Sequence, residues 1–297
     1  MIPEDVKERA KILITALPYI KKFYGKIVVI KYGGHAMINN ELKKAILSDI
    51  VLMKFIGINP VIVHGGGPEI TDLSKKLGLK PEFVGGLRVT DKETMEIVSM
   101  VLAGKINKEI VSIINQIGGK ACGISGIDGL LFNTVKKMGR ILNSKGSIEN
   151  VDLGYVGEIK SVNPDIVFLL IKEGYIPVIA PLGIGEEGEI YNINADTASG
   201  ELAVSLKAEK LILLTDVEGV LKDKEDRKSL ISLIRIEEAK RLIEDGIVEG
   251  GMIPKIECCI NAVKSGVTSA HIIDGRVPHS LLLEIFTDEG IGTMIVP

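Results

Sequence analysis

The sequence predicts an α/β protein built around a mostly parallel, buried sheet, and three observations carry that reading. First, residues 27–30 (Ile-Val-Val-Ile), 60–63 (Pro-Val-Ile-Val) and 176–180 (Ile-Pro-Val-Ile-Ala) are short, nearly unbroken apolar runs. Such runs belong to strands covered on both faces. Second, amphipathic helical patterns separate them. Third, the first two runs end in glycine loops, Lys31-Tyr32-Gly33-Gly34 and His64-Gly65-Gly66-Gly67-Pro68. Open α/β sheets bind ligands beyond the carboxyl ends of their strands, and glycines there let backbone N–H groups approach an anion unobstructed.

Composition narrows the class. The 297 residues suffice for one large domain or two lobes with a sizeable core. Apolar residues make up 46% and charged residues 25%, the balance of a soluble globular chain. A net charge of −3 with scattered basic residues points away from nucleic acid and membrane surfaces. No apolar run approaches the roughly 18 residues of a membrane span. The charged stretch from Glu4 to Lys11 lacks the apolar core of a signal peptide. Cys122, Cys258 and Cys259 have neither zinc nor disulfide spacing, so a cytoplasmic location is expected. A single glutamine beside abundant lysine and glutamate fits a heat-adapted source.

Residues 3–22 carry a helical stripe (Val6, Ala10, Leu13, Leu17, Ile20), with Pro3 suited to the first turn and Pro18 set to kink or end the helix. This segment precedes the first core strand, so its own subunit or another must cover the stripe. After the opening strand a helix is expected over 41–55, stopped by Gly57. Pro68 then opens a helix over 69–77, whose N-terminus is a natural anion site. Residues 82–89 read as a short hairpin ending near Arg88. Thr90 or Asp91 caps one long helix to about residue 115. Strands are expected over 121–125 and 130–135, a turn-rich hairpin region over 154–158, and a helix over 165–173 before the strand at 176–180. The pattern restarts near residue 181, which sets the boundary between lobes spanning 25–180 and 181–297, with residues 1–24 apart. In the second lobe Asp196 stands at the N-cap position of a helix over 197–206, followed by a strand over 211–215 with exit loop Asp216–Val220. A helix over 236–245 stops at Gly246. Gly250-Gly251-Met252-Ile253-Pro254-Lys255 opens another to residue 265. A strand over 270–273, a helix over 280–286 and a strand over 293–296 close the chain.

Two lysines at anion-friendly ends, Lys31 and Lys255, together with the glycine loops, fit handling of a nucleoside triphosphate. Lys255 in a first turn opposes the helix dipole, a cost of about 0.3–1 kcal/mol that a bound anion would offset. The P-loop and protein-kinase signatures are absent. The dinucleotide fingerprint is incomplete, with Ile70 where its third glycine belongs, which counts against an oxidoreductase. Four histidines, none beside an obvious nucleophile, argue against a catalytic triad. A carboxylate acceptor needs no general base because it is already ionised at neutral pH, so the lack of candidate bases is no obstacle.

Six stretches in register, Lys31-Tyr32-Gly33-Gly34, His64-Gly65-Gly66-Gly67, Gly86-Leu87-Arg88-Val89-Thr90, Asn192-Ile193-Asn194-Ala195-Asp196, Leu214-Thr215-Asp216-Val217 and Gly251-Met252-Ile253-Pro254-Lys255, resemble the amino acid kinase family. The resemblance runs from Ile27 to the C-terminus and is nearest to the branch that phosphorylates N-acetyl-L-glutamate in arginine biosynthesis. It implies a three-layer α/β/α sandwich with an amino-acid lobe and an ATP lobe. It implies that Lys31 and Lys255 stabilise charge on the transferring phosphoryl group and that Asp196 orients both. Gly33 and Gly34 at the nucleotide, and Gly66 and Gly67, would all supply backbone donors, with Gly66 and Gly67 also facing the acceptor, while Arg88 and Asn192 would hold the acceptor's α-carboxylate and neighbouring polar groups. Thr215, Asp216 and Gly219 resemble the loop beside the nucleotide. Magnesium would ride on the ATP phosphates, with no separate protein metal cage.

A second layer of resemblance concerns control. Arginine-inhibited members carry a kinked N-terminal helix that links dimers into a hexamer, and residues 4–22 look like it. Their C-terminal stretch is similar to residues 271–286 here. The implied L-arginine site comprises Tyr19, His271, Glu284, Gly290 and Gly292, and a nitrogen-signalling protein would be a further partner. Two other readings stand beside this one. One is a kinase for a one-carbon-longer aminoadipate derivative in lysine biosynthesis, which these motifs do not separate because a methylene is worth only about 1–3 kcal/mol. The other is an assembly that chiefly senses arginine, against which the intact Lys31, Asp196 and Lys255 argue.

Overall fold

The computed structural model describes residues 11, 13–37, 39–142 and 148–297. Of the expected N-terminal helix, residues 3–10 and 12 lie outside these. The remainder breaks at Ala16 and resumes as α1 (Leu17–Phe23) with Pro18 in its first turn, where the missing N–H interrupts no intrahelical bond.

From there the chain runs through β1 (Ile27–Tyr32), α2 (Asn40–Phe55), β2 (Asn59–His64), α3 (Gly67–Lys76), the small hairpin β3 (Phe83–Val84) and β4 (Leu87–Arg88), and α4 (Lys92–Ser99). A π-helical segment (Met100–Ile106) joins α4 to α5 (Asn107–Gln116). Next come β5 (Ala121–Ser125), the hairpin β6 (Phe132–Leu142) and β7 (Ile148–Val162), α6 (Asp165–Lys172), β8 (Ile176–Ala180), β9 (Leu182–Ile184) and β10 (Ile190–Asn192). The second half supplies α7 (Ala195–Ser205), β11 (Lys210–Thr215), β12 (Leu233–Arg235), α8 (Ile236–Glu244), α9 (Met252–Lys264), β13 (Ser269–Asp274), α10 (Ser280–Ile285) and β14 (Thr293–Val296).

One sheet of eight strands, ordered β12-β14-β13-β11-β1-β2-β8-β5, runs through both halves. Its neighbours pair in parallel except β13 with β14. β1 shows why its sequence is apolar without alternation. Val28, Ile30 and Tyr32 face one core with Ile46 and Ile50 of α2 and Ile110 and Ile114 of α5. Val29 faces the other, with Leu202 and Ala203 of α7 and Cys259 and Val263 of α9. Both faces of the strand are therefore buried, each such side chain contributing about 1.5–3 kcal/mol. Helices, sheet and helices form the three layers.

Several elements differ from the sequence expectation. The helix expected from residue 91 to 115 begins as foreseen, with the Asp91 carboxylate accepting from Thr94 N–H at 2.8 Å, but it widens into a π turn at Met100–Ile106. The strand expected to end at Val135 continues to Leu142, and residues 154–158 lie inside β7. β6 and β7 are a half-exposed ribbon carrying Lys136 and Asp152 outward, so no apolar run marks their length. Gly154, at φ +74°, bends β7 so that Thr90 N–H donates to Leu153 O and Tyr155 N–H to Thr90 O. That join fixes the Arg88 hairpin against the ribbon. Three short strands, β9, β10 and β12, are too short to carry a clear alternating or apolar pattern; β10, β7, β6 and β9 close into a small barrel.

Candidate active site

The carboxyl ends of β1 and β2 and the N-termini of α7 and α9 converge on one ion cluster. Lys31, within β1, places Nζ 3.2 Å from Asp196 Oδ1, an ion pair without hydrogen-bond alignment. Lys255, in the first turn of α9, donates to Asp196 Oδ2 at 2.5 Å. Burial pushes the Asp196 carboxyl up, but the charges of Lys31 and Lys255, with the hydrogen bond from Lys255, outweigh it and hold the group below its ordinary range. Asp196 is therefore an ionised bridge between two ammonium groups.

Asp196 is not the helix cap that the sequence pattern suggested. Asn194 caps α7, its side-chain oxygen accepting from Asp196 N–H at 2.9 Å and Thr197 N–H at 3.1 Å. The cap leaves the Asp196 side chain free to face the lysines from the first turn, where the helix dipole favours its charge. On α9 the first turn carries no acidic residue to offset Lys255. The Asp196 carboxylate compensates it from outside the helix.

Two clefts meet at this cluster. The first, about 240 Å³, is lined by Lys31, Gly66, Gly67, Arg88, Asn192 and Asp196, and also by Gly33 and Gly34. Arg88 reaches it across α3: its Nη2 donates to Gly67 O at 2.9 Å and Thr71 Oγ1 at 2.7 Å, and its guanidinium stacks on Phe83 at 4.6 Å. Its Nη1 is buried with no hydrogen-bond partner among the described residues, a donor left for an anion. Asn192 Nδ2 lies 3.4 Å from Thr90 Oγ1 at the same rim. The second cleft, about 540 Å³, is lined by Thr215, Asp216, Gly219 and Lys255. Thr215 Oγ1 donates to Val217 O and accepts from Val217 N–H, both at 3.0 Å, which turns the exit loop of β11. Gly34 stands between the clefts at φ +70°, and a Cβ there would lie 2.4 Å from Asp216 Oδ1. Among the described residues no group of three or more His, Cys, Asp or Glu is arranged to hold a metal ion.

A third constellation lies elsewhere, at the far end of β13. Glu284 of α10 sits 2.6 Å from His271 Nδ1 and accepts from Ile291 N–H at 2.8 Å and Gly292 N–H at 3.3 Å. Gly290, at φ +61°, approaches so closely that a Cβ would stand 2.8 Å from Glu284 Oε2. Tyr19 meets Phe286 edge-on at 6.5 Å, so α1 closes over this cluster. All five residues named for an effector site are thus brought together. Lys210 was not foreseen. It lies 2.8 Å from His271 Nε2, and burial lowers its ammonium to about 8. A lysine directly before the buried run of β11 was the available signal.

Comparison with known proteins agrees with this architecture. The sequence profile of the amino acid kinase family matches residues 26–274. An acetylglutamate kinase of Pelotomaculum thermopropionicum is 63% identical over 288 residues, covering 97% of this chain and 98% of that one. One of Carboxydothermus hydrogenoformans is 58% identical over 294 residues, covering 99% and 100%. Among solved structures, N-acetylglutamate synthase of Neisseria gonorrhoeae complexed with coenzyme A and L-arginine superposes with a TM-score of 0.78 at 26% identity; the match covers 97% of this chain and 65% of that one. Carbamate kinase of Giardia lamblia bound to AMP-PNP shares the fold, with a TM-score of 0.64 at 18% identity over 92% of this chain and 98% of that one.

Proposed function

This chain belongs to the amino acid kinase family, and from that premise we propose that it phosphorylates the side-chain carboxylate of N-acetyl-L-glutamate with ATP in arginine biosynthesis. The observation that carries the reading is the junction of two clefts at the Lys31–Asp196–Lys255 cluster. The first cleft takes the acceptor, with Arg88 and Asn192 on its α-carboxylate and Gly66 and Gly67 supplying N–H donors. The second takes the nucleotide beside Thr215, Asp216 and Gly219, and Gly33 and Gly34 face the phosphates between them. The ionised acceptor oxygen attacks the terminal phosphorus in line, the bond to the bridging oxygen breaks, and ADP leaves. Lys31 and Lys255 neutralise the charge that accumulates on the transferring and leaving oxygens, and Asp196 fixes both ammonium groups. Magnesium would be carried by the nucleotide phosphates.

The test is ATP-dependent acyl-phosphate formation, trapped with hydroxylamine, on N-acetylglutamate and on its one-carbon-longer homologue. Preference for the shorter acid supports the assignment, preference for the longer one moves the enzyme to lysine biosynthesis, and inactivity on both refutes the acceptor. Arg88→Ala is expected to raise KM for the acid about 10- to 100-fold, the worth of a charge-assisted bond, with a smaller change in kcat. An unchanged KM removes Arg88 from the acceptor site.

The same reading extends to feedback inhibition. The carboxylate of Glu284 supports a guanidinium partner, and the exposed Leu13, Ile14 and Leu17 at the N-terminal helix support the oligomerising role that links dimers into a hexamer, on which a nitrogen-signalling protein could act. Glu284→Gln is expected to weaken arginine inhibition at least about tenfold at nearly unchanged kcat. Inhibition as strong as in the parent protein excludes Glu284 from that site.

A further inference from the structure

We propose that His64 and Asn107 form a buried positioning pair that aims the Gly66 N–H into the acceptor cleft. Neither side chain touches the reacting atoms. The inference rests on the first cleft being the acceptor site.

His64 ends β2 and is fully buried. Its Nδ1 lies 2.8 Å from Gly65 O. A carbonyl only accepts, so Nδ1 carries the proton. Burial holds the imidazole neutral, lowering it to about 4, so Nε2 keeps its lone pair. Asn107 Nδ2, 3.3 Å away, faces that lone pair. The same amide nitrogen lies 2.9 Å from Val178 O on β8 and 3.2 Å from Ile124 O on β5, so its two hydrogens are shared among three acceptors. Asn107 Oδ1 accepts from Lys108 Nζ at 3.0 Å, and Gly123 makes the room, since a Cβ there would stand 1.9 Å from that oxygen. The imidazole is thereby anchored to the backbone of two neighbouring strands.

The consequence lies one peptide further on. In a trans peptide the C=O and N–H point in opposite directions. Holding Gly65 C=O toward His64 turns the N–H of Gly66 the other way, and Gly65, Gly66 and Gly67 all line the cleft. The π-helical segment holds the same peptide from the side. A Cβ on Gly66 would lie 2.6 Å from both Leu102 and Ile106. The widened turn therefore does two things: it packs on Gly66 and it delivers Asn107 at its end. A donor aimed at the developing charge is effective only while its direction is fixed in advance.

Two substitutions separate the two ring nitrogens. Asparagine places its amide nitrogen near the Nδ1 position, and glutamine places its own near Nε2. His64→Asn should keep kcat within about fivefold, while His64→Gln should lower it about 10- to 100-fold with KM for ATP within about twofold. A glutamine variant at parental kcat, or two variants equally slow, overturns the proposal, as does a loss of rate that simply tracks the melting temperature. Nitrogen-15 NMR of the histidine-labelled parent protein gives an answer even where a variant does not fold. Nδ1 of His64 should be protonated and Nε2 bare from pH 8 down to pH 5; the opposite tautomer or an imidazolium overturns it. Absence of acyl-phosphate formation by the parent enzyme refutes the acceptor reading instead, and the tautomer still decides the bond to Gly65.

Discussion

Lys255→Ala is expected to lower kcat about a thousandfold while KM for either substrate changes only a few-fold. The magnitude follows from what phosphoryl transfer asks of a protein: little covalent chemistry, and a fixed positive charge where negative charge gathers, which elsewhere is worth about 10²–10⁵ in rate. Lys255 lines the nucleotide cleft and is tied to the Asp196 carboxylate. Its orientation is set before substrate arrives, so its contribution appears in the transition state and falls on kcat. Lys31→Ala should show a loss of the same order from the acceptor side. Lys255→Arg should recover little, because a planar fork does not reproduce a point charge at one oxygen. In each variant Asp196 keeps one lysine partner, so the fold should persist, as circular dichroism can verify. A loss below tenfold in a folded Lys255→Ala enzyme removes that lysine from the reaction.

Strands β1, β2, β8, β11 and β13 of the main sheet are legible because each is buried on both faces, and such strands announce themselves as apolar runs; the edge strand β12, with only Ile234 buried, does not. β1 and β2 are the clearest, with their glycine loops marking the carboxyl edge where the clefts open. What escaped was structure made by long-range contact. The β6–β7 ribbon keeps lysines and carboxylates on its exposed face, so its length is set by pairing across the hairpin and not by local apolarity. The π turn at Met100–Ile106 follows a smooth helical pattern in sequence; its widening is tied to packing against Gly66, which is distant along the chain. Asp196 shows the same limit within the site. An aspartate beside a helix start is read locally as its cap, yet Asn194, two residues earlier, takes that task. Only the fold brings Lys31 and Lys255 close enough for the aspartate to bridge them. Lys210 gives only a weak local signal because a charge ahead of an apolar run is usually solvated, whereas here α1 covers it and His271 receives it.

Asp196→Asn should be nearly as damaging to turnover, about 10²- to 10³-fold, although the residue donates nothing to the phosphoryl group. The amide keeps the shape and removes the charge, leaving Lys31 and Lys255 facing each other across a neutral group in a largely dehydrated setting. Breaking a buried ion pair by removing one partner costs about 3–5 kcal/mol, so the free variant should also melt at lower temperature. The sign of the pH dependence follows. The folded carboxyl lies below its ordinary 3.8, so its stabilising contribution is complete above that value and is lost as pH falls through the lower, folded value. The stability deficit of the variant should therefore be largest near neutral pH and narrow in acid below about pH 4. Nucleotide phosphates supply the missing negative charge, so saturating ATP should raise the melting temperature of the variant more than that of the parent enzyme. Thermal unfolding with and without ATP distinguishes this from a general loss of packing. Equal shifts in the two proteins would mean that Asp196 does not hold the lysine pair ready for the phosphates.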